Sequence, residues 1–273
     1  MLKNRIILAV VAVLMVVVLY TLPKVVVKNE EEAVEQHEEE EASSETEPAA
    51  EEMHKQEMPA TLKPIVKELN QAWLATGGNK LQTADSLRSL YLAAGVMDSA
   101  IYFSEQLVAL QPDAATWRKA GEVYYEAFGF TLNEQKQAAY GEKARGFFQK
   151  VLDAEPNAWD VKTKMAMTYV SSKTPMQGIL MLREVLENDP ENTEALFNLG
   201  VLSIQTGQYD KAVERFERLL EVEPQHVQGN FYLGVAFMEL GKKEQARAQF
   251  ERVKQLDLDP AVQATVESYL QNL

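Results

Sequence analysis

From Pro64 to the carboxyl terminus, apolar residues recur three and four positions apart, and nowhere do they alternate long enough to mark a strand. The periodic runs break at regular points. Pro112, Pro156, Pro190, Pro224 and Pro260 close successive runs, at intervals of 44, 34, 34 and 36 residues. A period near 34 predicts pairs of antiparallel helices, each pair burying its apolar stripe on the next. Pairs are expected at 81–112, 113–156, 159–190, 193–224 and 227–260. Pro64–Ala75, with Ile65, Leu69 and Trp73 at four-residue spacing, is expected to cover the first pair. Residues 260–273, with Val262, Val266, Tyr269, Leu270 and Leu273 at helical spacing, are expected to cap the last. The fold class is all-α, with residues 59–273 forming one domain.

Within a pair, small and large residues hold fixed places. Thr193–Pro224 carries Leu196, Leu199 and Gly200 on its first helix, with Ala212 and Phe216 on its second. Val227–Pro260 repeats this with Leu233, Gly234, Phe237, Ala246 and Phe250. Gly200 with Ala212, and Gly234 with Ala246, are small enough to let two helices approach closely. Gly95, Gly207 and Gly241 fall where first helices must stop, in a left-handed conformation that glycine adopts cheaply. Earlier pairs are less regular. Arg88 takes a place where a small residue is usual, and Thr174-Pro175 reads as a helix cap followed by a first helical residue. Trp117 and Ala144 lie 27 positions apart, where the period leaves room for about 16. The excess, about eleven residues around 129–141, either projects Phe130, Leu132 and Tyr140 from a hairpin at one edge or lengthens both helices.

Leu196, Leu199, Gly200, Ala212, Phe216 and Pro224, with their counterparts in the next unit, resemble the W-x2-L-G, A-x3-F and P positions of the tetratricopeptide repeat. The resemblance spans Leu81–Pro260. It implies a superhelical solenoid in which first helices line a concave groove that binds proteins or peptide segments. Carrying over the family's groove positions selects Arg118 and Tyr125, then Lys164, then Phe197, Asn198 and Val201, and finally Phe231, Tyr232 and Met238. The groove is thus expected to be charged in the middle and more apolar toward its carboxyl end. Phe197 and Phe231 either grip an apolar segment or serve helix packing. Some members of the family clamp a terminal carboxylate with Lys and Asn. Asn198 matches that clamp, but Thr163, Met167, Gln228 and Tyr232 depart from it.

The amino-terminal part has a different pattern. Ile6–Leu22 is seventeen residues without a charge, behind Lys3 and Arg5, at the short end of the roughly 17–25 that cross a hydrocarbon core. It ends in Tyr20-Thr21-Leu22-Pro23-Lys24, without the small residues that mark a cleavage site. Residues 1–28 therefore read as an uncleaved signal anchor. Lys24 and Lys28 nearly balance the basic residues ahead of the span, while the short basic head favours an exported body. In a bacterium with two membranes this means an inner-membrane protein with a periplasmic carboxyl-terminal domain. Residues 29–58 have too few apolar side chains to offset ordering entropy and are expected to be a disordered acidic linker. It serves either as a solvated tether or as a docking site for a basic partner.

Charge follows the same division. The chain of 273 residues has 41 acidic and 27 basic side chains, formally −14. Glu30–Glu57 contributes thirteen acids and one lysine, which leaves residues 58–273 at only −6. Nucleic acid is a poor partner for such a balance. Without cysteine there is no thiolate metal site and no thiol nucleophile. Two of the three histidines, His37 and His54, lie in the acidic stretch. No phosphate-cradling glycine loop or nucleophile elbow appears, so no catalysis, cofactor or metal is expected. The expected role is a membrane-tethered scaffold or adaptor for proteins, with self-association open. The alternatives are a holdase-like or translocon-associated factor for exported clients, or an accessory in envelope-complex (for example cytochrome) assembly.

Overall fold

The computed structural model describes residues 58–273; the apolar run Ile6–Leu22 and the Glu-rich stretch through Glu57 lie outside the described residues. The described chain is helical throughout, without a strand. A single helix α1 (Lys63–Leu74) precedes five antiparallel pairs. These are α2 (Lys80–Ala93) with α3 (Met97–Leu110), and α4 (Ala114–Phe130) with α5 (Glu134–Ala154). Next come α6 (Trp159–Val170) with α7 (Pro175–Asn188), and α8 (Thr193–Gln205) with α9 (Tyr209–Val222). The last pair is α10 (Val227–Glu239) with α11 (Lys243–Leu256), closed by α12 (Pro260–Gln271). Each helix packs on its pair-mate and on the next helix in the chain. In addition α4 touches α6, α6 touches α8, and α8 touches α10. First helices therefore lie side by side, which is the all-α solenoid that the period predicts.

The helix ends have local causes. Asp113 caps α4 in a reciprocal box, accepting from the Thr116 N–H while the Thr116 hydroxyl accepts from the Asp113 N–H. Asn192 caps α8 and the His226 ring caps α10, each by accepting a backbone N–H three residues on. Gly95, Gly207 and Gly241 have φ of 72°, 69° and 70°, the left-handed geometry that ends α2, α8 and α10. Pro175 is the first residue of α7, but the Thr174 side chain does not cap the helix. Its hydroxyl pairs instead with that of Ser172, at 3.2 Å.

The seam between helices is built from large rings set against small residues. Phe148, Phe216 and Phe250 are each fully buried. A Cβ on Gly200 would lie 2.6 Å from the Phe216 ring, and one on Gly234 would lie 2.8 Å from that of Phe250. The nearest atoms facing these glycines thus belong to the phenylalanines rather than to Ala212 and Ala246. The closest backbone approach is elsewhere: a Cβ on Gly178 would lie 2.3 Å from the Ala166 carbonyl oxygen. Helix α1 seats Val66, Leu69 and Trp73 on the first pair and leaves Ile65 exposed. At the other end Val266 and Leu270 of α12 join the core that holds Phe250, with Val262, Tyr269 and Leu273 packed against it.

The excess residues of the second pair lengthen both of its helices. α4 has 17 residues and α5 has 21, where the other second helices have 14. The added turns have their own packing, for Phe128 is buried over Gly141. Only the tip protrudes: Phe130 and Leu132 are 62% and 78% exposed. Tyr140 turns inward, its ring centroid 6.1 Å from that of Tyr124.

Candidate interaction face

The inner face runs across α4, α6, α8 and α10, and electrostatics reveal its curvature. Tyr125 on α4 is pushed up to about 12 by burial and then by the charges of Glu194 and Glu126. Glu194 belongs to α8, so side chains of α4 and α8 approach across α6. Burial likewise raises the carboxyl of Glu194, Lys164 opposes the shift, and Asp160 adds to it. Charges on three successive first helices thus act on one another along the inner face.

Ion pairs tie these helices together. Asp85 on α2 accepts from Lys119 of α4 at 2.6 Å and from Arg88 of its own helix at 3.0 Å. Burial raises the Asp85 carboxyl, but those two bonds hold it below its ordinary value. Lys164 on α6 reaches Glu122 of α4 at 2.9 Å. Arg118 bridges Glu155, at 3.0 Å, and Asp160 at the start of α6. Arg118 and Lys164 therefore already have acidic partners within the chain. Arg88 is explained in the same way, since its charge is neutralised by Asp85.

The aromatic candidates lie toward the other end, packed among rings. Phe197 meets Phe216, His226 and Tyr232 with centroids 6.1, 5.3 and 5.8 Å away. Phe231 meets Tyr232, Phe250 and Tyr269 at 5.5, 5.8 and 5.2 Å. Val201 and Met238 are half-buried against the same core. These side chains link first helix, second helix and the following repeat.

Two polar groups of α8 stand apart. Glu194 and Asn198 are one turn apart and so share a helix face, the face that looks toward α6 and α4. Both are half-buried, and among the described residues neither side chain has a hydrogen bond or an ion pair. Asn198 offers a donor and an acceptor together, as a peptide backbone requires. Glu194 falls at one of the family's groove positions in the sequence, but that it makes no ion pair of its own appears only once Lys164 is seen bound to Glu122. Phe130 and Leu132 lie at the α4–α5 tip, and Tyr140 is folded against Tyr124.

Residues 177–229 and residues 204–261 each match a family model described as tetratricopeptide repeat. No curated protein matches the sequence. Among solved structures, a tetratricopeptide repeat protein from Parabacteroides merdae is similar over 77% of this chain and 82% of its own, with 15% identity and a TM-score of 0.57. MamA from Desulfovibrio magneticus, from its residue 41 onward, is similar over 68% of this chain and 99% of its own, with 17% identity and a TM-score of 0.51. A further MamA crystal structure covers 64% of this chain and 96% of its own, with 16% identity and a TM-score of 0.50. At such identities the likeness concerns the fold. Two repeat models matched over residues 177–261, and five stacked helix pairs among the described residues, give this chain tetratricopeptide repeats and the fold of a scaffold for contacts between proteins.

Proposed function

We propose that the protein is a membrane-tethered adaptor whose helical body, on the exported side of the membrane, holds an extended segment of a partner protein along its concave face. The observation that carries this reading is the pair Asn198 and Glu194, unpaired on a face where neighbouring charges are matched. Asn198 is suited to the partner's backbone amide, and Glu194 to a cationic side chain or an amino group. The tether rests on the charge-free run Ile6–Leu22 and the acidic stretch behind it. Tethering would raise the local concentration of a partner at the membrane.

A dedicated partner suits this face better than many unfolded clients. Client capture needs accessible apolar side chains, and here Phe197 and Phe231 contact the rings of the repeat seams. The test is photo-crosslinking in living cells with a reactive analogue at position 198, and adducts read by mass spectrometry. One dominant adduct, lost in a Glu194→Lys background, is the expected result. A ladder of many exported proteins, or adducts confined to the cytoplasm, would overturn the reading.

A further inference from the structure

On the far side of the stack, away from the first-helix face, α7 and α9 flank an open notch of about 420 Å³ whose floor includes Leu199. Arg183 of α7 and Lys211, Arg215 and Arg218 of α9 line it, against two acids, Glu187 and Glu214. Among the described residues none of the four cations forms an ion pair. Arg215 is spent inward, donating from Nη1 to the Leu199 carbonyl at 2.9 Å and to the Ser203 hydroxyl. Arg218 donates to the Pro190 carbonyl at 2.8 Å, and Lys211 to the Gln208 side chain at 2.7 Å. Arg183 makes no hydrogen bond to any described residue. Burial lowers the pKa of Arg215, and the charges of Arg183 and Arg218 lower it further against the opposing pull of Glu214. The guanidinium groups therefore repel one another, whereas Arg118, Lys119, Lys162 and Lys164 each found a carboxylate beyond their own helix.

An anion would relieve that repulsion, and the surface beside the notch indicates what carries it. Met176 and Leu180 precede Arg183 on α7 by seven and three positions, so the three share one helix face. Met176 is 60% exposed and Leu180 is 56% exposed. A free phosphate has no use for two apolar side chains next to its cations, and a nucleic acid backbone has little. We propose that the α7–α9 notch docks an acidic segment of a partner protein. Its carboxylates would sit between Arg183 and Arg218, and an adjoining apolar residue would lie on Met176 and Leu180. Arginine forks match carboxylates in two-point geometry, and methionine offers an adaptable apolar contact. This surface is separate from the concave face, so its failure would leave the Asn198 reading standing.

The test uses the purified full chain and a fluorescein-labelled short peptide of leucines and glutamates, followed by fluorescence anisotropy. Arg183→Gln with Arg218→Gln should weaken binding by about tenfold or more. Met176→Ala with Leu180→Ala should weaken it severalfold. Arg252→Gln, a charge loss on α11 outside the notch, should leave it unchanged. Circular dichroism melting of each variant separates lost binding from lost folding, and Arg183→Lys should restore part of the affinity if charge is what matters. Lack of binding to the unmodified chain, or equal loss in the Arg252→Gln control, would overturn the proposal. So would displacement of the peptide by inorganic phosphate at matched ionic strength, or equal binding by single-stranded DNA.

Discussion

Asp85 and Glu194 both lie on first helices yet respond to acid in opposite directions. The Lys119 and Arg88 bonds outweigh burial at Asp85 and lower its pKa on folding. Its contribution is therefore present above the ordinary aspartate value and is lost as pH falls through the lower folded value. At Glu194 burial wins over Lys164, so its folded pKa is raised. A raised carboxyl favours folding most below the ordinary glutamate value and loses that contribution as pH rises through the folded one. Asp85→Asn should therefore lower stability at pH 7, by less than about 1 kcal/mol because the pair is partly exposed, with the deficit closing in acid. Glu194→Gln should match or exceed the parent at neutral pH and converge with it near pH 4. Urea midpoints at several pH values check both. A deficit for Glu194→Gln at neutral pH would mean that the Lys164 attraction outweighs burial.

At the scale of the helix pair, the tightest joint is between α6 and α7. Gly178 lies so near the Ala166 carbonyl and the Val170 amide, 2.3 and 2.8 Å from a built Cβ, that added bulk meets backbone. Gly200 and Gly234 face phenylalanine rings, which have some freedom to shift. Gly178→Ala should therefore cost about 3 kcal/mol, toward the upper end for overpacking, and more than Gly200→Ala; chemical denaturation of the two variants decides it. Equal losses would show that ring and backbone yield alike. The period and the small–large pairs made the helix order legible, since a seam of this kind must recur wherever two helices touch. The stripe on α1 correctly marks Leu69 and Trp73, but Ile65 and Val66 both fit it, and only packing on the first pair selects Val66 over Ile65. The occupied state of Arg118 and Lys164 was hidden for another reason. Their partners lie 37 to 42 positions away, and the superhelical angle decides which charges meet.

For the stack as a whole, each repeat finishes its core with the next, so the last must be finished by something else. Phe250 and Val253 of α11 are buried, and Val266 and Leu270 of α12 lie in the same core. Tyr269 stands with its centroid 5.2 Å from both Phe231 and Phe250. Lys243 donates to the Leu273 carbonyl, and Lys254 meets Glu267 at 3.0 Å, but such exposed contacts add little. The apolar cover is what matters. Ending the chain after Asp257 would bare Phe250 and leave α10–α11 as an open edge, of the kind that stacked repeats close with a polar-faced cap. Stability in such a stack is approximately a sum of nearest-neighbour terms, so the loss should be felt first at the cut end. Hydrogen exchange of the truncated chain should show α10 and α11 opening first, α8 and α9 less protected than in the parent, and α2 to α5 close to parental. Loss of protection spread evenly from α2 to α11 would mean that the five pairs unfold as one cooperative block, with α12 supporting the whole stack rather than its last repeat.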